Sequence, residues 1–139
     1  MINDAERKLI AKFSAMDIDT LGRHISQNIV HYKSDYVVNA LSAIFSSPTE
    51  NHSTTKYPKI YEGGSEYVRY ISDVQSALCD DQWLCQKMKS IANLPYEEQI
   101  VQISDAISTN AALEKWCVSP LPVAVLITKI KARNFCGCE

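Results

Sequence analysis

The sequence predicts an all-α protein: a compact bundle of six or seven amphipathic helices forming one domain over residues 1–139. Three observations favour this fold class. Apolar residues recur at steps of three and four along most of the chain, which is the period of a helix with one buried face. Helix start signals precede several of these stretches. Glycine and proline are scarce, with four and five residues, and 46% of the chain is apolar, enough for a core.

The first part of the chain predicts three helices. Asn3 and Glu6 stand three residues apart in a capping-box pattern, so the first helix begins there. Its apolar face is formed by Leu9, Ile10, Phe13 and Met16. A second amphipathic face runs over residues 18–32, and a third over residues 36–45 after a start signal at Ser34 and Asp35.

The pattern stops over residues 46–64, which carry two prolines, a glycine pair and many hydroxyl side chains. A short extended piece is expected at residues 57–61, because residues beside Pro58 avoid the helical region. Such a long connection in a compact domain is typically functional or mobile. The alternative is a tolerated surface excursion.

A fourth helix is predicted to begin at Ser65. Its buried stripe is formed by Val68, Ile71, Val74 and Leu78, and Tyr67 and Tyr70 lie at the edges of this stripe. The pair Asp80-Asp81 either interrupts this helix or begins a new one, after which residues 84–91 continue a rotated stripe. Pro95 opens the next helix, which is strongly apolar between residues 100 and 107.

The last two predicted helices lie near the carboxyl end. Asn110 is expected to cap a short helix through Trp116. A final helix is predicted over residues 121–133, because Pro120 and Pro122 suit a first turn and several bases lie in the last turns. The β-branched run at residues 123–127 keeps a buried strand open as the alternative.

Charge and cysteine usage predict the compartment and exclude some functions. The net charge of −2 is too small to attract nucleic acid by its overall field, although residues 60–86 carry five acids against one base. No apolar segment is long enough to cross a membrane, and the amino terminus lacks a signal-peptide pattern. Five cysteines at irregular spacing then predict reduced thiols, so a cytoplasmic protein is expected.

Motifs for metal, phosphate and catalytic chemistry are weak. Cys136 and Cys138 form a Cys-x-Cys pair that suits a soft metal, but no second ligand pair stands at metal-ligand spacing, so no metal site is predicted. His24 and His31 lie about 10 Å apart along a helix, too far to bind one metal ion. The glycine pair lacks the lysine and the spacing of a phosphate loop. No catalytic residue and no cofactor are predicted.

The remaining candidate is an acidic, aromatic surface in the middle of the chain. Its residues are Tyr61, Glu62, Glu66, Tyr70, Asp73, Asp80, Asp81 and Trp83. Exposed rings beside carboxylates are typical of protein-binding surfaces, since the rings anchor a partner and the charge steers a basic one. Glu66, Tyr70 and Asp73 fall at steps of four and three, so they share one helical face. The alternative is a solvated helix flank whose tyrosines lie at the margin of the core.

We therefore expect a small protein that binds and inhibits another protein with a basic surface, with no membrane or nucleic-acid partner and no enzymatic activity. Such a chain is similar in general kind to bacterial immunity proteins, which block the toxic domain of a contact-dependent inhibitor or a colicin-like nuclease. No residue motif carries this resemblance. Two alternatives stay open: a small enzyme with a site on the loop at 46–64, using His52 or a cysteine, and a helical nucleic-acid-binding regulator.

Overall fold

The computed structural model describes residues 3–33, 57–60 and 65–138. Within these residues the chain forms seven α-helices, two short 3-10 helices and no strand, so the predicted all-α class is confirmed. The α-helices are α1 (Asp4–Ser14), α2 (Ile18–Lys33), α3 (Ser65–Cys79), α4 (Trp83–Ser90), α5 (Tyr96–Ser108), α6 (Pro120–Ile130) and α7 (Ala132–Cys136). The 3-10 helices are Asp80–Gln82 and Ala111–Trp116. The predicted helix at 36–45 lies outside the described residues, as do residues 46–56 and 61–64 of the predicted loop.

Helix α6 is the centre of the bundle. Every residue from Leu121 to Ile127 is buried, and the helix contacts α1, α2, α5 and α7. A helix that is apolar on all sides is stable only when other elements surround it. The β-branched run at 123–127 is therefore helical, and the strand alternative is wrong.

Side-chain caps define several helix starts. At α1 the predicted capping box is present: Asn3 Oδ1 accepts from the Glu6 amide at 2.8 Å, and Glu6 Oε1 accepts from the Asn3 amide at 3.4 Å. At α2, Asp17 Oδ1 accepts from the Thr20 amide at 2.7 Å, and this hydrogen bond holds the pKa of the Asp17 carboxyl below its ordinary value. Asn110 caps the second 3-10 helix as predicted.

Helix α3 buries more of its surface than its sequence pattern indicates. Tyr67 and Tyr70 are fully buried, although the pattern places them at the edges of the apolar stripe. The reason is that α3 contacts both α2 and the 3-10 helix Ala111–Trp116. The Trp116 ring packs edge-on against Tyr70, with 5.4 Å between the ring centroids.

A backbone break after α6 turns the carboxyl end back onto the bundle. Lys131 has φ 80 and ψ 140, so the helix predicted to run to residue 133 ends at Ile130, and α7 begins at Ala132. Helix α7 contacts α3, α4 and α6, and it places Phe135 in the core. The break thus brings the residues after Phe135 against the junction of α3 and α4.

Among the described residues, no helix combines the length and the apolar character that crossing a bilayer requires.

Candidate functional site

The junction between α3 and α4 presents an acidic and aromatic turn to solvent. We call residues Asp80, Asp81, Gln82 and Trp83 the junction turn. Asp80, Asp81 and Gln82 are exposed, and Trp83 is exposed by 40% despite its large apolar ring. Neither carboxylate forms an ion pair with a residue that the structure describes. The turn therefore combines two carboxylates, neither paired with a base in the described part of the chain, with an accessible indole ring.

The backbone of the junction turn is held in an uncommon conformation. Asp81 has φ 57 and Gln82 has φ 58, so two consecutive residues other than glycine adopt the left-handed region. Each such residue costs on the order of 1 kcal/mol and persists only where the surrounding structure holds it. Strain of this kind is concentrated at binding and switch segments, which makes the turn a candidate site.

Two disulfide bonds bracket the junction turn. Cys79 immediately precedes it and is bonded to Cys136, and Cys85 follows it and is bonded to Cys138. The two Cα–Cα distances, 5.3 and 6.5 Å, lie within the range that a disulfide spans. Both bonds therefore fasten the carboxyl-terminal segment to the two helices that meet at the turn.

These bonds overturn the prediction of reduced thiols for four of the five cysteines. Cys136 and Cys138, considered above as metal ligands, are half-buried and disulfide-bonded, so they have no thiolate to offer a metal. The part of the chain that the structure describes contains no group of three or more potential metal ligands. The pairing depends on the break at Lys131, which sequence spacing does not reveal.

Polar contacts also tie residues 57–60 to this region. The Tyr57 hydroxyl donates a hydrogen bond of 2.5 Å to Asp80 Oδ1. Gln75, which is fully buried in α3, donates from Nε2 to the Pro58 carbonyl at 2.6 Å and to the Phe135 carbonyl at 3.0 Å. A single amide group thus joins α3, the segment 57–60 and α7.

A cavity of about 270 Å³ lies between the turn and the carboxyl-terminal segment. Both disulfides line it, together with Tyr57, Asp81 and Gln82. Gly137 closes one side with φ 78, and a Cβ at this position would lie 3.4 Å from the Pro58 ring. Glycine is favoured here because the backbone is left-handed, whereas the distance to Pro58 is an ordinary van der Waals contact.

The Tyr57 hydroxyl is expected to titrate late. Its hydrogen bond to Asp80 raises the pKa of Tyr57 to about 12, with smaller contributions from burial and from the charges of Asp80 and Asp81. We expect Asp80→Asn to return the Tyr57 pKa towards its ordinary value of about 10, measured by NMR titration of ¹³C-labelled tyrosine rings. Because the folded pKa is raised, this contact stabilises the fold fully below about pH 10 and its contribution disappears as the pH rises through about 12. If the titration midpoint of Tyr57 were unchanged in Asp80→Asn, the hydrogen bond between Tyr57 and Asp80 would not be present in solution.

The structure separates the predicted site residues. Asp80, Asp81 and Trp83 lie together in the junction turn, whereas Tyr61 and Glu62 lie outside the described residues. Glu66 is half-buried on α3. The predicted surface is therefore not one continuous face along α3.

The structure corrects the prediction that Tyr70 and Asp73 belong to an exposed partner-binding surface. Tyr70 is only 1% exposed, so it is not a surface anchor. Asp73 accepts a hydrogen bond of 2.8 Å from the Trp116 indole nitrogen and lies 3.6 Å from the Lys115 ammonium. The face of α3 that the sequence predicts to bind a partner is thus covered by the chain's own residues 111–116, and the chain's own Lys115 pairs with Asp73.

Of the three histidines, His24 is the one whose side chain the structure describes. His24 packs its ring against Phe13 at 5.2 Å between centroids, as a side chain at the margin of the core does. His52 lies outside the described residues. Tyr57 belongs by its chemistry to the same acidic, aromatic part of the sequence, but its contact with Asp80, 23 positions away, has no sequence signal.

Comparison with known proteins gives no relationship: no family model, no curated protein and no solved structure matches the chain.

Proposed function

We propose that this chain is a binding protein that blocks a protein partner with a basic surface, and that the junction turn is its principal contact. The observation that carries the proposal is the exposure of Asp80, Asp81 and Trp83 in one turn whose backbone is held in place on both sides. Partly exposed tryptophans are common binding hot spots, and carboxylates around them steer a basic partner.

Rigidity of the turn supports this role. A contact segment that is already fixed loses little conformational freedom when it binds, so more of the contact energy appears as affinity. Three features restrict this segment: the left-handed backbone at Asp81 and Gln82, the hydrogen bond from Tyr57, and the two disulfides.

A toxin-neutralising role, as in bacterial immunity proteins, remains our proposal for the biological setting. It rests on small size, an acidic patch and the weakness of catalytic motifs in the sequence. The disulfides refine it, because such bonds persist mainly in oxidising compartments. We therefore propose that chain and partner meet in an oxidising compartment, in place of the cytoplasm that the cysteine spacing suggested. Fractionation of native cells tests this: recovery of the folded chain from the cytosol alone would contradict it.

The binding proposal predicts separate effects for the ring and the charges. Trp83→Ala is expected to weaken affinity for a partner that the parent chain recovers by pull-down from its native host about 30-fold, because a buried indole anchor contributes on the order of 2 kcal/mol. Asp80→Asn with Asp81→Asn is expected to slow association about tenfold at low salt while dissociation changes little. Both effects are measured by surface plasmon resonance, with salt varied from about 0.02 to about 0.5 M.

Matched controls are available on α5. Tyr96 is exposed by 44%, so Tyr96→Ala removes a comparably exposed ring elsewhere on the surface. Glu98→Gln with Asp105→Asn removes two exposed charges far from the turn in sequence. These variants should bind as the parent does. If they weaken binding as much as the turn variants, or if the turn variants have no effect, the junction turn is not the contact.

The two alternatives stay predictions. The enzyme alternative, with a site on the loop at 46–64, uses His52 or a cysteine. Rapid alkylation of one cysteine at low reagent concentration would favour an enzyme with a catalytic thiol. A nucleic-acid regulator is tested by retention on a heparin column at low salt. No described feature favours either over the binding role.

A further inference from the structure

Two segments of the chain and the two disulfides form one closed ring. One segment runs from Cys79 to Cys85 and includes the junction turn, and the other runs from Cys136 to Cys138. Each disulfide joins one end of the first segment to one end of the second. Because the ring is closed only while both bonds exist, breaking either bond opens it. The restraint on the junction turn is then released while the other disulfide remains.

The backbone inside the ring is strained. Asp81 has φ 57 and Gln82 has φ 58, and on the other side of the ring Gly137 has φ 78. The left-handed conformation disfavours a residue other than glycine by about fivefold or more. Such residues return to ordinary backbone angles when the restraint is removed. Opening the ring therefore releases strain, and disulfides whose surroundings are strained are easier to reduce.

The sulfur atoms of the ring are accessible to a small reductant. All four cysteines line the cavity of about 270 Å³ beside the turn. Cys79 and Cys85 are only 4% and 6% exposed, whereas Cys136 and Cys138 are half-buried. Access decides which sulfur a thiolate attacks. The sulfurs open to attack are therefore those of Cys136 and Cys138.

We propose that this ring is a redox-active site that a small dithiol opens at one disulfide, and that opening changes the junction turn from a rigid to a mobile segment. The consequence for binding rests on the proposed function: a mobile turn loses more conformational freedom on binding, so affinity for the partner falls. The ring stays closed in an oxidising compartment and opens when the chain meets dithiols.

The reaction is a two-step thiol–disulfide exchange. In the first step, one thiolate of the dithiol attacks the sulfur of Cys138. A mixed disulfide forms, the Cys85–Cys138 bond breaks, and the Cys85 thiolate takes up a proton. In the second step, the other thiolate of the reductant attacks the reductant's own sulfur in the mixed disulfide, so the Cys138 thiolate leaves and is protonated. The dithiol becomes a cyclic disulfide, and its two electrons reduce the chain. Attack at Cys136 opens the other bond in the same way.

The first test counts thiols on the full chain during reduction. The chain is equilibrated at about pH 8 with mixtures of reduced and oxidised dithiothreitol, alkylated, and weighed by intact-protein mass spectrometry. Closed and fully reduced chains carry one and five alkylated cysteines, since Cys117 is free in both. The first opening releases the strain of the turn and the second does not, so we expect a species with three alkylated cysteines first. Direct passage from one to five would overturn the proposal.

A glycine at a strained position tests whether strain drives the opening. Gln82→Gly removes strain from the closed ring, so the equilibrium constant of the first opening should fall about fivefold. Cys117→Gly is the matched control, because Cys117 is also left-handed, with φ 52, and lies outside the ring. Its constant should stay within about twofold of the parent value. An unchanged constant in Gln82→Gly, or an equal fall in the control, would contradict the proposal.

The second test measures the mobility of the turn directly. Cys138→Ser opens the ring while Cys79–Cys136 persists. We expect the ¹⁵N order parameters of residues 81–83 to fall from about 0.85 to below about 0.6, whereas those of residues 112–115 stay as in the parent. If Cys138→Ser fails to fold, Cys136→Ser opens the ring at the other bond and gives the same measurement. A turn that stays rigid in the open ring would overturn the proposal.

Neither test requires a partner, so the redox proposal and the proposed function fail separately. With the partner available, Cys138→Ser should bind it about tenfold more weakly than Cys117→Ser does, because the mobile turn must be ordered on binding. A mobile turn in a chain that binds no basic partner would support the redox site and contradict only the proposed function.

Discussion

Replacing Cys136 and Cys138 together by serine is expected to lower the free energy of unfolding by about 7 kcal/mol, an amount comparable to the whole stability of a domain of this size. The first disulfide to form closes a loop of 57 residues, which restricts the unfolded chain by about 4 kcal/mol. Both replaced residues are only half-buried, so the loss reports the cross-links more than the core. The measurement is urea unfolding at about pH 5, where thiolate exchange is slow.

The single replacements are expected to be much milder. Once Cys79–Cys136 exists, the second bond closes an effective loop of only about eight residues, six along one segment and two along the other. Cys138→Ser alone should therefore cost about 2.5 kcal/mol, and Cys136→Ser a similar amount. The loss of unfolding free energy in the double variant is therefore expected to exceed the sum of the two single losses by about 2 kcal/mol. Cys117→Ser is the control and should change stability by less than about 0.5 kcal/mol. Additive losses, or a double variant as stable as the parent, would contradict the bracketed arrangement.

Gln75→Glu is expected to destabilise the chain by about 3 kcal/mol at neutral pH, because it removes the donor that joins Pro58 and Phe135. The new side chain has nearly the same shape, so packing is retained. A carboxylate at this position would face two carbonyl oxygens in a site where Gln75 is fully buried. The loss is therefore electrostatic and reflects the missing hydrogen bonds.

The same variant gives a pH test with a defined sign. Burial raises the pKa of a carboxyl above its ordinary value of about 4.3. Such a group is protonated in the folded chain when it is already ionised in the unfolded chain. The variant should be most stable below about pH 4 and should lose stability as the pH rises towards the raised pKa. Gln102→Glu, at an exposed position of α5, should show no such trend. Equal pH profiles for the two variants would show that Gln75 does not join these segments.

Local signals in the sequence predict much of the fold. Asn3 and Glu6 determine the start of α1 because a capping box involves only neighbouring residues. The length of the apolar run in α6 and its opening prolines favour a helix, although its β-branched residues also allow a buried strand. Both features depend on interactions between residues close together in the chain, so the spacing of residue types in the sequence is enough to predict them.

The site is harder to predict because it depends on contacts between distant parts of the chain. Tyr70 has the spacing of an outward residue, and only the approach of Trp116, 46 positions later, buries it. The cysteines pair because Lys131 breaks the helix and redirects Cys136 and Cys138. A left-handed lysine has no clear sequence signal. The chemistry of Asp80, Asp81 and Trp83 predicts them as candidate site residues, whereas the disulfides and the left-handed backbone around them have no local sequence signal.

The proposed binding role depends most on the junction turn being held by Cys79–Cys136 and Cys85–Cys138. The direct measurement is peptide mapping of the chain isolated from its native cells, with free thiols alkylated at lysis and no reductant added. We predict one alkylated cysteine, Cys117, and two cross-linked peptide pairs with these connections. Five alkylated cysteines, or pairs joined differently, would contradict the structure of the turn and the binding role built on it.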